Sequence, residues 1–345
     1  MTQTQRKIRI RAESHRLTKP FTISRGHKNT ADVVVVEIND GSRIGRGECV
    51  PYGRYGETLE SVTAEIESIK PMLEGRSNKL NHTFTRDDLQ TAMHPGAARN
   101  AIDCAIWDLE AQQSGLSVPD RLGLLPQPLT SAVTITLDTP ARMAQAAKQL
   151  LNKNSKKKQL VKVKLGGEDG FAADIGRLSA IRDAAPEATL IVDVNEGWHP
   201  HDIISHVDAL KSFNIDLIEQ PLPADNDDIL KDIDLPFCAD ESVHDSDDLN
   251  HLNPGYDCVN IKLDKTGGLT EALKMLQLAR EKNLKVMVGC MVASSLSMMP
   301  AYFLGLQADY VDLDGPIWLE KDRENGLHFT HDQIALPTKP LWGWN

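Results

Sequence analysis

From about residue 130 the chain repeats one pattern: a short β-rich run, then a polar and apolar stretch with helical spacing. Eight such runs succeed one another, at 132–137, 160–165, 189–194, 216–218, 236–239, 258–263, 285–288 and 309–313. The stretches between them, such as 172–184 and 270–281, carry apolar residues at the period of a helix. Strand and helix units repeated about eight times over ~190 residues predict an α/β fold, a (β/α)8-type (TIM-like) barrel. A doubly wound sheet is the alternative, but no glycine-rich dinucleotide fingerprint follows an early strand.

The first 125 residues have a different grammar. Residues 7–11 alternate, and the β-branched run 31–38 closes on Asn39-Asp40-Gly41, a hairpin signal. Between them, 21–28 reads as a polar loop around Arg25. A second loop, 47–56, carries Glu48, Tyr52, Arg54 and Tyr55. Helical spacing follows: Val62, Ile66 and Ile69 share a face, as do Ala98, Ile102, Ala105 and Leu109, with Gly115 as a stop. Strands followed by helices describe an α+β domain over 1–125. The barrel then occupies 126–318. The tail 319–345, with Pro337, Pro340 and two tryptophans, is too short for a domain and is expected to pack back on the first.

Composition excludes several functions. A net charge of −11 argues against nucleic-acid binding. No apolar run reaches the length of a membrane span, and the first residues lack a signal-peptide apolar region. Cys49, Cys104, Cys238, Cys258 and Cys290 are scattered, with no Cys-x-x-Cys pair. That argues against a disulfide framework or zinc site and for a reducing cytoplasm. The basic run 153–158 reads as a solvated helix end, and His199 and His201 as solvent-facing.

Charged residues end the barrel strands. Lys162 and Lys164 alternate with Val161, Val163 and Leu165, so both point to one face. Alone, they would suit a protected edge strand. The next strands end in Asp193, Glu219, Asp240 and Lys262, each one βα unit after the last. Three carboxylates converging at one rim make a hard-oxygen site that suits magnesium, with a lysine on either side. Such a combination suits removal of a weakly acidic proton beside a carboxylate. Strand eight ends Val311-Asp312-Leu313-Asp314, whose two aspartates share a face and are aimed at something cationic; capping the following turn is the alternative.

These motifs, Lys-x-Lys, Asp-x-Asn, Glu-Gln-Pro, Ala-Asp-Glu-Ser and Asn-Ile-Lys-x-x-Lys-x-Gly-Gly, resemble the enolase superfamily, muconate-lactonizing-enzyme subgroup, over nearly the whole chain. The resemblance implies an N-terminal capping domain over the barrel and a Mg2+ ion on Asp193, Glu219 and Asp240. It implies Lys164 and Lys262 as bases on opposite faces of the substrate α-carbon, with Lys162 as electrostatic support. Lys265 is a rival to Lys262. Asn195 and Glu241 would stand behind these groups. Asp312-x-Asp314 is similar to the signature of dipeptide epimerases, where the pair receives the substrate's α-ammonium. The loops around Arg25 and Arg54 look like the cap loops of L-Ala-D/L-Glu epimerases, implying that Arg25 pairs with a glutamate side chain and Arg54 competes for that role. Thr134, Cys290 and Met291 would line the pocket. The implied reaction is epimerisation of a dipeptide's C-terminal residue through an enediolate, in murein-peptide recycling. Alternatives are a muconate cycloisomerase, an o-succinylbenzoate synthase, an N-acyl amino acid racemase, or a non-enzymatic barrel. Barrels of this family are often oligomeric, which leaves room for a homo-oligomer.

Overall fold

The computed structural model describes residues 6–75, 83–150 and 158–344; all of the basic run 153–158 but its last residue lies outside them. An antiparallel sheet comes first, with β1 (Lys7–Ile23), β2 (Gly26–Asn39) and β3 (Ile44–Cys49) in that order. The segment read as a polar loop, 21–28, is instead the end of a long hairpin. Phe21 pairs with Lys28 and Ile23 with Gly26, so Ser24 and Arg25 form the turn. Pairing satisfies the backbone there without burying either face, so hydropathy gave no sign of it.

Helix α1 (Leu59–Leu73) starts at Thr58, whose hydroxyl accepts from Ser61 N, and buries Val62, Ile66, Ile69 and Leu73. Helices α2 (Arg86–Ala92), α3 (Ala97–Ser114) and α4 (Val118–Leu122) follow. Strand β3 lies hard against α3: a Cβ at Gly47 would sit 2.0 Å from the Ala101 carbonyl oxygen. Only glycine permits that approach.

A short strand β4 (Leu129–Thr130) leads into the barrel. Strands β5 (Val133–Ile135), β6 (Leu160–Lys164), β7 (Thr189–Asp193), β8 (Leu217–Glu219), β9 (Phe237–Ala239), β10 (Cys258–Ile261), β11 (Lys285–Val288) and β12 (Tyr310–Val311) pair in chain order as one eight-stranded parallel sheet. Its two ends meet where Ala132 N donates to Val311 O at 2.7 Å. Each run anticipated from the sequence overlaps one of these strands, β8 reaching one residue beyond its run to Glu219.

The crossovers are less regular than anticipated. Helices α5 (Pro140–Leu150), α6 (Phe171–Ala184), α7 (Pro200–Ser205), α8 (Val207–Ser212), α9 (Leu263–Thr266), α10 (Leu269–Glu281) and α11 (Ser295–Gly305) cover the sheet. Between β8 and β9, and between β9 and β10, the described chain has only the short 3-10 turns Asp228–Asp232 and Asp248–Asn250. In the second of these, side chains bond local backbone instead: Asp248 accepts from His244 N, Asp245 from Asp247 N, and Asn253 from Gly255 N. That competition favours turns over helix.

Alternation sorts the barrel into layers. Val161, Val163 and Leu165 face outward into the helix-covered core. The opposite parity fills the interior floor with Ala132, Leu160, Ile191, Leu217, Cys238, Cys258 and Met287. Two residues further along the same strands stand Thr134, Lys162, Asp193, Glu219, Asp240 and Asn260. A period of two thus puts a charged layer directly on an apolar plug. The tail adds β13 (His328–Thr330) and β14 (Gln333–Ala335), the latter paired with β4. It ends on the N-terminal helices, where Trp342 Nε1 donates to Cys104 O at 3.1 Å and Gly343 N to Asp108 at 2.8 Å. Among the described residues no helix is long and apolar enough to cross a membrane.

Candidate active site

A cavity of about 330 Å³ opens at the carboxyl end of the barrel under the β1–β2 hairpin and the 52–55 loop. That is the size class of small-ligand pockets. Its floor is built from β6 to β10. Lysine-bearing β6 and β10 flank β7, β8 and β9, which supply Asp193, Glu219 and, just past the strand, Asp240. All three carboxylates are shut from solvent. Lys162 Nζ stands between them, 3.0 Å from Asp193, 2.7 Å from Glu219 and 2.7 Å from Asp312. Lys164 donates to Asp193, and Lys262 to Asp240 at 2.5 Å. The cavity is lined by all three lysines and Asp240, whereas Asp193 and Glu219 lie beneath, covered by ammonium groups.

The two lysines of the Asn-Ile-Lys-x-x-Lys run have different positions. Lys262 reaches the cavity. Lys265 is wholly buried and spends its donors on Asp240 O, Asp240 Oδ1, Val243 O and Asn260 O. It clamps the Asp240 loop.

Electrostatics follow from burial. Desolvation alone would lower the Lys162 pKa, but Asp193, Asp312 and Glu219 outweigh it and hold the group well above its ordinary range. Lys262 behaves likewise through Asp240 and Glu219. Glu219 is pushed up to about 7, by burial and then by Asp193, which Lys162 and Lys262 only partly offset. Its Oε2 has no hydrogen bond, because Lys162 lies close but off the bonding direction. Three buried carboxylates, one of them with an oxygen that accepts no hydrogen bond, fit a hard divalent cation. Among the described residues the acids do not stand as a ready-made cage, since ammonium groups separate them.

Two residues outside the expected set hold these acids in place. Asn260 Nδ2 donates to Glu219 at 2.8 Å, and a Cβ on Gly289 would meet its side chain at 2.6 Å. Gln220 Oε1 accepts from Asp240 N and Ser242 N, tying β8 to the β9 loop. Asn260 was open to the same alternation that singles out Lys262. Asn195, Glu196 and Gln220 take left-handed φ values of 48°, 66° and 37° at the strand ends. Such strain persists where surrounding bonds enforce it, commonly at functional sites.

The remaining expected residues form the wall. Thr134, Cys290, Met291, Asp312 and Asp314 line the cavity, as do Asn195 and Glu241. Asp314 accepts from Thr134 N at 2.8 Å and Trp318 Nε1 at 3.2 Å, and is raised to about 6 by burial and Asp312. Asp312 gives one oxygen to Lys162, while its Oδ1 is buried without a partner. The Cys290 thiol is held well above its usual range, by burial and then by Asp312 and Asp314, as suits a wall rather than a nucleophile. Arg25, at the hairpin tip, donates to Glu241 at 2.7 Å, Asn195 O at 2.8 Å, Tyr52 Oη at 3.0 Å and Glu196 at 3.2 Å. Arg54 grips Glu196 through two 2.8 Å bonds. Glu196 therefore ties both N-terminal loops to the barrel, a role invisible in sequence because its partners lie far away in the chain. His199 and His201 are exposed.

Comparison with known proteins finds relatives over nearly the whole chain. Residues 5–123 match the mandelate racemase/muconate lactonizing enzyme N-terminal domain, and residues 142–344 the enolase C-terminal domain-like family. The L-Ala-D/L-Glu epimerase of Escherichia coli K12 is 42% identical, over 96% of this chain and 100% of that one. An N-acetyl-D-glutamate racemase from a Pseudoalteromonas species is 42% identical, over 90% and 95%. Among solved structures, an enolase family member from Agrobacterium tumefaciens, with homology to dipeptide epimerases and with sodium and L-Ala-L-Glu bound, superposes with a TM-score of 0.90. Its identity is 45%, over 98% of this chain and all of that one. The chain belongs to the mandelate racemase/muconate lactonizing enzyme family of the enolase superfamily, and it is one of the isomerases of that family.

Proposed function

We propose that this protein epimerises the α-carbon of the C-terminal residue of L-Ala-Glu type dipeptides. The observation that carries the reading is the acidic wall: Asp312 Oδ1, buried and without a partner, stands beside Asp314 in the cavity. A buried acceptor of this kind calls for a donor from the ligand, and a dipeptide's ammonium supplies one. Muconate-type diacids would meet only repulsion there.

In this reading Lys164 and Lys262 face the α-carbon from opposite sides, one removing the proton and the other returning it. Their strands lie on either side of the three acid-bearing strands, which supports opposed approach. Lys162 holds positive charge next to both Lys164's partner Asp193 and the developing enediolate. Asp193, Glu219 and Asp240 would hold Mg2+, which when bound would supply positive charge to the substrate carboxylate. Asn195 and Glu241 orient the residues around them, Thr134, Cys290 and Met291 shape the wall, and Arg25 offers its guanidinium to the glutamate side chain. Residues 1–125 act as the cap, 126–318 as the barrel and 319–345 as the tie between them. Five free cysteines suit a reducing cytoplasm.

The test is incubation with L-Ala-L-Glu and with L-Ala-D-Glu in heavy water with magnesium. Deuterium should enter the glutamate α-position, and both diastereomers should converge on one mixture. No exchange with either would refute the substrate assignment. The Pseudoalteromonas relative motivates a second reading, racemisation of an N-acylglutamate. That substrate presents an amide N–H instead of an ammonium, so Asp314→Asn, which leaves Lys162 its Asp312 partner, should then leave turnover nearly intact.

A further inference from the structure

The basic residues around the cavity are unequally committed. Lys162, Lys164 and Lys262 are each paired with a buried carboxylate. Arg25 shares its charge between Glu241 and Glu196, and Arg54 is bidentate on Glu196. A substrate carboxylate arriving at Arg25 therefore meets a guanidinium already balanced by two acids. Lys28 differs. It lines the same cavity, is exposed, and among the described residues makes no ion pair. Its Nζ rests 5.2 Å from the centre of the Tyr52 ring, and the Tyr52 hydroxyl receives Arg25 at 3.0 Å. Lys28 lies opposite Phe21 in the hairpin register, and Phe21 also lines the cavity. Arg25, Tyr52 and Lys28 thus make one continuous wall, and Lys28 supplies the charge that no protein acid neutralises.

We propose that Lys28 is a specificity-determining residue whose ammonium pairs with the side-chain carboxylate of the substrate's second residue, alongside Arg25. This rests on the dipeptide-epimerase reading and deepens it. Lysine suits the position because its long stem lets a point charge follow a flexible acid. A partly exposed pair also makes the selectivity sensitive to salt.

The experiment compares kcat/KM for L-Ala-L-Glu and L-Ala-L-Gln with the magnesium-loaded full chain and its Lys28→Gln, Lys28→Arg and Lys28→Glu variants. Lys28→Gln should lower the Glu-over-Gln ratio about fivefold, through KM rather than kcat. Lys28→Glu should lower it further and Lys28→Arg should restore it. The wild-type ratio should shrink as salt rises. An unchanged ratio in Lys28→Gln, or equal losses on both dipeptides, would overturn the proposal. If the wild type exchanges neither dipeptide, the underlying reading falls and takes this inference with it; a wild type active on L-Ala-L-Glu leaves the ratio to decide on Lys28 alone.

Discussion

Two clusters of buried charge lie a few residues apart in this protein, and they are finished differently. At the seam between α3 and the barrel, Arg99 donates to Met93 O, Thr266 O and Gly267 O. Asn100 and Val50 N satisfy Asp264, while Thr270 bonds Asp103 through both its backbone N–H and its hydroxyl. At the cavity, Glu219 Oε2, Glu241 Oε2, Asn260 Oδ1 and Asp312 Oδ1 are buried without hydrogen-bond partners. Among the described residues, Arg99, Asn100, Asp103 and Asp264 contribute no such atom, and only Gln90 Oε1, at the edge beside Asp103, does. Burying an unpaired polar group costs ~1–3 kcal/mol, so a natural site keeps one only where something else completes it. The seam is polar in order to dock two layers. In the proposed function the cavity is polar in order to receive a ligand and an ion.

The strongest way to break that contrast is to remove a proposed base. Lys262→Ala and Lys164→Ala should each lower epimerisation by about a thousandfold or more, with circular dichroism unchanged. Deuterium exchange with the two diastereomers separates the bases: each variant should retain more exchange from one diastereomer than from the other. Equal residual exchange from both in both variants would contradict opposed approach.

A smaller effect is expected at the acidic wall. Asp312→Asn and Asp314→Asn should lower dipeptide kcat/KM by about ten- to a hundredfold, the scale of a charge-assisted bond. Because Asp312 also holds Lys162, its variant should lose kcat as well as affinity, whereas Asp314→Asn should act chiefly on KM. Unchanged steady-state kinetics in both would remove the ammonium role. On the seam the pattern should invert. Arg99→Ala strands three carbonyls and should cost about 2–3 kcal/mol in denaturant unfolding, with kcat/KM of the folded protein unaltered.

Much of the cavity was legible because strand alternation has a period of two. Once Lys162 and Lys164 share a face, the same count along later strands points Asp193, Glu219 and Asp312 at one another, and the structure brings them together. What alternation could not reveal was pairing over long separations. Glu196 gave no sign of joining Arg25 and Arg54, and Asp312 none of being shared with Lys162. Nor could hydropathy reveal that 21–28 extends a hairpin, since neither face is buried. The helix-poor crossover between β9 and β10 escaped for a related reason: its Asp and Asn side chains bond local backbone, a choice that coarse helical spacing does not register.

The finest distinction between the clusters concerns pH. Asp264 is raised from an ordinary 3.8 to about 7, chiefly by burial, against the opposing bonds from Val50 N and Asn100. A carboxyl that binds its proton more tightly folded than unfolded makes the folded state take up protons between about pH 4 and 7. Stability from this group is therefore greatest below that window and declines as pH rises through it, opposite to a salt-bridged acid. Asp264→Asn keeps an oxygen for Val50 N and Asn100 and removes the titration. Urea midpoints measured from pH 5 to pH 8 should fall less steeply in Asp264→Asn than in the wild type. Identical slopes would mean that the seam carboxyl stays ionised across the range. The seam would then hold a buried charge with no ammonium beside it, and the contrast between a finished docking surface and an unfinished ligand site would rest on hydrogen bonding alone.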